Sequence, residues 1–417
     1  MIEYAYRFLL VSSAAYLALQ PTNAATYLRS LTFGFSALFA LIVALAALAG
    51  RGGRIPSPGK AILASLLAWC AWDAASYFWS ANPAYTAGEL RREMAWSLMM
   101  MAAFYIVARD AFAWRTQVGA TLGSFALLAA VAIGLAVSPE GWNAARWHVG
   151  VGAFSTYLVL VAPLLLMLLA PAPAGFGGAP RAAAVAVILL ALLVATARLA
   201  DNRMVWIALA VVYATASSLA AMRWHLALRR APVRWLAPLL ALLVVLGLLF
   251  AQTARDKATA HFPPHTSVAE TFAHDPRLQL WDRTSDLIGQ RPWTGYGFGK
   301  SILADELRED LHLPELSHAH NVFMSQWLQT GAIGLAAFVA LLAALTARYV
   351  RFLRSPDDAL AFLGVIGLAL VAGFVVKNLT DDFLFRSNGK EFWALNAALL
   401  GFGVRRQNSL PAAAPSG

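Results

Sequence analysis

The chain has 417 residues, 60% hydrophobic and only 13% charged, with 32 Lys+Arg against 22 Asp+Glu and a formal net charge of +10. So much apolar sequence excludes a water-soluble globular protein, because several runs approach the ~20 residues that cross about 30 Å of hydrocarbon. The cations are scattered singly at the ends of those runs, not gathered on a basic domain, which argues against nucleic acid and leaves the lipid bilayer as the first partner.

In chain order the apolar runs predict about 12 membrane helices, near 4–20, 28–50, 60–80, 93–109, 117–137, 151–171, 181–198, 203–221, 234–253, 320–347, 358–379 and 389–404. The fold class expected is all-α: a polytopic membrane protein with helices over 1–253, one long and partly helical external loop over 254–319, further helices over 320–404, and a disordered tail over 405–417. Residues Met1 to Tyr4 run into the first apolar stretch with no basic region and no small-residue cleavage site, so the first span reads as uncleaved. The lone Cys70 excludes an intrachain disulfide and a cysteine-based metal site.

Alternate connections carry Arg51, Arg54 and Lys60; Arg109 and Arg115; Arg181; Arg223, Arg229, Arg230 and Arg234; Arg348, Arg351 and Arg354; and Arg405 and Arg406. The positive-inside rule puts these loops and both termini in the cytoplasm, and 254–319 in the periplasm of a two-membrane host. Against that orientation, Arg29, Arg91, Arg92, Arg146, Arg198, Arg203, Lys377, Arg386 and Lys390 fall on the external side. Orientation does not explain them; a membrane-bound polyanion such as a diphosphate head group does.

Within the loop, Leu278, Trp281, Ser285, Leu287 and Ile288 suit an amphipathic helix ending before Arg291 and Pro292, and Ile302 to Leu311 could form another. Gly295, Gly297 and Gly299 mark a turn between them. With Lys300 and Ser301 they invite a nucleotide-loop reading. It fails, because Thr294 stands where the first glycine belongs and no strand precedes it, so no nucleotide is expected. Asp305, Glu306, Glu309, Asp310 and Glu315 crowd like metal ligands, but their spacing is that of a helix's wet face, and no metal is assigned.

The densest chemistry follows the loop, where His318, His320 and Asn321 stand at the start of a membrane helix, ten positions before Gly331 to Gly334. Titratable groups gathered at one bilayer surface bring no stability of their own, so they mark a candidate site for a lipid-carried substrate. The spacing His320, Asn321, nine residues, Gly331, two residues, Gly334 resembles the signature of the O-antigen ligase and polymerase superfamily of envelope glycosyltransferases. Arg203 to Trp206 is similar to that superfamily's Arg-x-x-Trp element, and Asp275, Arg277 and Trp281, followed by Pro292 and the glycine run, to its loop element.

The resemblance implies transfer of a glycan from undecaprenyl diphosphate to an acceptor at the external face, with inversion and without metal or other cofactor. A ligase would use lipid A core as acceptor, the reading preferred here. A polymerase would use another repeat unit, and a protein O-oligosaccharyltransferase a Ser or Thr. A sugar hydroxyl needs a base with pKa near 7, and His320 is the expected one. The departing diphosphate needs positive charge, expected from Arg203 and Arg277. His318, Asn321, Arg146, Asp275, Asp382 and Arg386 are the further candidate substrate contacts. Plainer roles compete: Arg203 could snorkel to head groups, Asp275 could pair with Arg277 across the proline between them, and Asp381 and Asp382 could sit in a solvated loop. A polysaccharide flippase, the reading from outside enzymology, would place polar groups at mid-membrane on interrupted helices instead.

Overall fold

The computed structural model describes residues 2–51, 53–172, 174–177, 180–224, 232–261, 275–311 and 317–410. The tail expected to be disordered from 405 instead continues the last helix to Ser409, with Arg406 paired to Asp357, while 411–417 and Glu315 lie outside the described residues. In chain order the helices are α1 (Ile2–Leu19), α2 (Thr26–Leu48), α3 (Lys60–Ala75), α4 (Pro83–Glu89), α5 (Trp96–Val107), α6 (Ala111–Ala136), α7 (Ala144–Trp147), α8 (Val151–Leu165), α9 (Pro180–Leu199), α10 (Arg203–Arg223), α11 (Pro232–His261), α12 (Pro276–Gln290), α13 (Ala304–Leu311), α14 (Val322–Leu353), α15 (Asp358–Lys377) and α16 (Arg386–Ser409). No strand occurs among the described residues.

Each apolar run of the sequence lies on a helix, and 9 helices among the described residues are long and apolar enough to cross a membrane. The other three, α1, α5 and α16, fall short for visible reasons. Helix α5 has 12 residues and is continued backwards by a π-helical turn, Leu90–Ala95, into α4. Helix α1 opens with Glu3 and Arg7. Helix α16 carries Asn388, Lys390, Glu391 and Asn396, all buried against protein rather than lipid, with α5 as its main neighbour. The centre of the bundle is α8 and α15, with 78% and 72% of their apolar windows buried, whereas α2 and α11 bury only 17% and turn the rest outward. An apolar outer face of that extent needs lipid as solvent.

The loop helices form where expected. Asp275 caps α12, its Oδ1 accepting from the Arg277 amide at 3.1 Å, and Pro276 occupies the first turn, where its missing N–H costs nothing. Leu280, Leu287 and Leu307 of α12 and α13 join Tyr296 and Leu328 in a small core of their own. The acidic side chains of α13 tie it to α12: Arg283 pairs with Asp310 at 2.6 Å and reaches Glu306 at 3.9 Å.

The feature that positions the site is a break in α14. Gly331 has φ 68 and ψ −174, a conformation open in practice only to glycine, so the helix is interrupted there. The carbonyls set free find new donors: Tyr296 N to Leu328 O at 3.0 Å, Gly297 N to Gln329 O at 2.8 Å, and the Trp72 indole to Thr330 O at 2.8 Å. Conversely, the Ala332 amide donates to Pro292 O at 2.8 Å. A Cβ on Gly331 would run into the Trp293 backbone, and one on Gly295 into that of Gln329. The glycine run is thus a backbone-to-backbone plug for the broken helix. Gly331→Ala is expected to destabilise by at least the ~1–3 kcal/mol of the disallowed backbone conformation. It should lower the melting temperature of the purified protein, while Gly119→Ala, with nothing within 4 Å of its Cβ position, should not.

Candidate active site

The break leaves Val322 to Thr330 as a short helix at the end of the bundle, preceded by the histidine turn. Asn321 caps it, Oδ1 accepting from the Phe323 and Met324 amides at 3.0 and 3.2 Å, so its side-chain oxygen is committed to the helix. His320 is held in the left-handed region at φ 48, an uncommon conformation for a side chain of its size and one that tends to persist at functional sites. The His318 and His320 rings stack, their centroids 3.9 Å apart. Burial, then the charges of Lys300 and His320, pushes the His318 imidazole well down, so His318 stays neutral at physiological pH.

His320 Nδ1 faces Asp381 Oδ1 at 3.6 Å, just beyond hydrogen-bond reach, and the other Asp381 oxygen is paired with Lys377. Burial alone would push the Asp381 carboxyl up. The Lys377 charge and the His320 and Lys377 contacts outweigh it and hold Asp381 well below the usual carboxylate range. An ionised carboxylate at Nδ1 favours the tautomer with its proton there and leaves Nε2 as the proton acceptor. Asp381 is therefore a positioning group for His320, a role the sequence reading did not assign.

Beside this turn lies a cleft lined by Arg203, Lys257, Asp275, Arg277, Trp281 and Thr380, among others. Arg203 enters from the first turn of α10 and Arg277 from that of α12. Asp275 pairs with Arg203 at 3.1 Å, not with the Arg277 side chain, because Oδ1 is spent capping α12 and only Oδ2 faces the cleft. Arg277 has no ion pair among the described residues, although its charge is felt by Asp381. Two links join cleft to histidines: the Trp281 indole donates to Ala319 O at 2.9 Å, and Thr380 is followed directly by Asp381. Lys257, from the end of α11, adds a cation that the sequence reading missed.

The remaining candidates scatter. Asp382 is fully buried next to Asp381; its backbone carbonyl accepts from Lys300, and its carboxyl has no hydrogen-bond partner among the described residues. Arg386 lies at the start of α16 with φ 58 and an exposed side chain, its amide donating to Glu93 at 2.6 Å. Arg146 stands apart on α7, exposed and 3.7 Å from Glu140, and does not line the cleft.

Residues 184–339 match the O-antigen ligase family model, a stretch that holds Arg203, Lys257, Arg277, both histidines and the Gly331 break. The match supports the O-antigen ligase family for this stretch. With the long apolar helices, the match indicates a multi-pass membrane protein with glycosyltransferase-like activity of the ligase or polymerase type on lipid-linked glycans. No curated protein matches the chain significantly. Asp381, Lys377 and Asp382 lie beyond the matched stretch, brought to it by α15 packing along α14 and α10.

One histidine outside the cleft reports on the fold. His148 is buried, with Nδ1 2.8 Å from Pro21 O, and burial pushes its imidazole down to about 4. Between that value and the ordinary His value near 6.5 the unfolded chain binds a proton that the folded chain refuses, so stability falls as pH falls through this window. The loss at pH 5 should be roughly 2 kcal/mol. Melting curves from pH 7 to 5 should show it, and His148→Gln should flatten the dependence.

Proposed function

We propose that the protein is an O-antigen ligase, which moves undecaprenyl-diphosphate-linked O-antigen polysaccharide onto lipid A core oligosaccharide at the periplasmic face of the inner membrane. The observation that carries this reading is the meeting of Arg203, Arg277 and Lys257 in one cleft beside an imidazole backed by a carboxylate. On this reading the chain crosses the bilayer about 12 times. Both termini are cytoplasmic, and residues 254–319 form the periplasmic loop domain.

The chemistry follows from the residues. The acceptor hydroxyl attacks the anomeric carbon from the face opposite the diphosphate, its proton passes to His320 Nε2, and the bond from anomeric carbon to diphosphate oxygen breaks with inversion. The diphosphate leaves as an anion and needs no proton; Arg203 and Arg277 take up the charge that develops on it, the task a metal ion performs in other phosphate-releasing enzymes. Asp381 steadies the imidazolium until the proton escapes to water. His318, stacked and neutral, keeps a second positive charge away from His320, while Asp275 fixes the Arg203 fork.

Purified protein given a lipid-linked donor and lipid A core should yield core-attached polysaccharide, in excess chelator as well as without it. Chain elongation without core attachment would replace the ligase reading by the polymerase one. Glycosylation of a Ser or Thr in a protein acceptor would replace it by the protein transferase.

A further inference from the structure

At the end of the bundle away from His320 a second cavity, of about 490 Å³, opens sideways between α3 and α5 and is backed by α14 and α16. Its size is that of a small-molecule pocket. Its walls are apolar: Ile62 and Leu66 of α3, Met101 of α5, Leu345 of α14, and Trp393 and Leu400 of α16. Leu345 lies fourteen residues beyond Gly331, or roughly 20 Å along the helix, so this groove is separate from the catalytic cleft.

Arginines stand around the Tyr105 end of the groove, next to the residues that line it. The Tyr105 hydroxyl donates to Pro56 O at 2.8 Å, closing the floor, and the Arg405 guanidinium lies over the Tyr105 ring at 5.3 Å while donating to the Tyr105 and Gly401 carbonyls. Arg348 follows Leu345 by one helical turn and so shares its face. Its guanidinium stands over Phe352 at 5.0 Å, and its Nε is buried without a hydrogen-bond partner. Arg54, exposed, immediately precedes the Ile55 to Pro58 segment that lines the mouth.

We propose that this groove holds an acyl chain of an anionic glycerophospholipid, whose phosphate lies against Arg348 and Arg54. An apolar slot between membrane helices suits a hydrocarbon chain, and the half-buried Arg348 and exposed Arg54 beside its Tyr105 end suit an anionic phosphate by charge. The donor's polyprenyl tail fits less well, because its charged end belongs at the opposite end of the bundle and its hydrocarbon end would leave Arg348 unanswered. The proposal does not depend on the acceptor or on the transfer chemistry.

The test is native mass spectrometry of the purified, delipidated protein after exposure to phosphatidylglycerol, to phosphatidylcholine with the same chains, or to undecaprenyl phosphate. Phosphatidylglycerol should be retained as one tightly held molecule, about tenfold more than phosphatidylcholine. Ala397→Trp, which fills the groove, should abolish that retention. Arg348→Gln, which leaves the walls intact, should reduce phosphatidylglycerol to the phosphatidylcholine level without changing the melting temperature. Equal retention of the two phospholipids by the unaltered protein, retention indifferent to both substitutions, or preferential capture of undecaprenyl phosphate in the same groove would overturn the proposal.

Discussion

Replacing His320 by Ala is expected to lower turnover by about 10²- to 10⁴-fold, the range that a positioned general base contributes. The fold should survive, because neither ring nitrogen makes a hydrogen bond and the helix that follows is capped by Asn321 instead. Donor binding should survive as well, since the cations of the cleft are supplied by α10, α11 and α12. Single-turnover transfer from a lipid-linked donor, measured beside donor affinity, separates the two effects. Transfer at the unaltered rate would remove the base from His320. Asp381→Asn should fall between, lowering kcat more than it raises KM, because Nε2 stays in place while the carboxylate that fixes the tautomer and balances the imidazolium is gone.

The second large effect is expected at the arginines. Removing a preorganised charge aimed at a developing anion commonly costs about 2.7–4 kcal/mol in the transition state. Arg277→Ala should therefore reduce kcat/KM by about 10²- to 10³-fold, and Lys in its place should restore only part, being a point charge where a planar fork can grip two oxygens. Arg203→Ala should do similar damage with an added component, for it also strands the Asp275 carboxylate that now lies 3.1 Å from Arg203. Asp275→Asn isolates that component, and a loss as large as that of Arg203→Ala would make Arg203 a structural partner of the α12 cap instead of a phosphate ligand.

Much of this was legible in the sequence, for identifiable reasons. Long apolar runs announce membrane helices, and the spaced apolar face from Leu278 to Ile288 ahead of Arg291 and Pro292 announces α12. Arg203 and Arg277 stood out against plainer roles because both fall in family-like motifs and Arg203 lies on the side that orientation disfavours, and they do share a cleft. Contacts between distant parts of the chain were not legible. Nothing local in Asp381 distinguishes it from Asp382, and only the packing of α15 against α14 turns one carboxylate towards His320 and leaves its neighbour buried elsewhere. Lys377 and Asp381 do carry a faint signal, opposite charges four residues apart at a helix end. Asp275 was misjudged as a partner for the Arg277 side chain because a cap consumes an oxygen that a charge count leaves available. The bend from α4 through Leu90–Ala95 into α5 was missed for a similar reason, since a π-helical turn has no composition of its own.

The plug at Gly331 has a consequence for how the molecule is made. A helix broken at Gly331 cannot satisfy the Leu328, Gln329 and Thr330 carbonyls from its own chain segment. The strip from Pro292 to Gly297, synthesised earlier, must return to supply two amides, and the Trp72 indole of a still earlier helix the third donor. Synthesis thus delivers the seat after the part that must sit in it, and Lys377 and Asp381 follow later still.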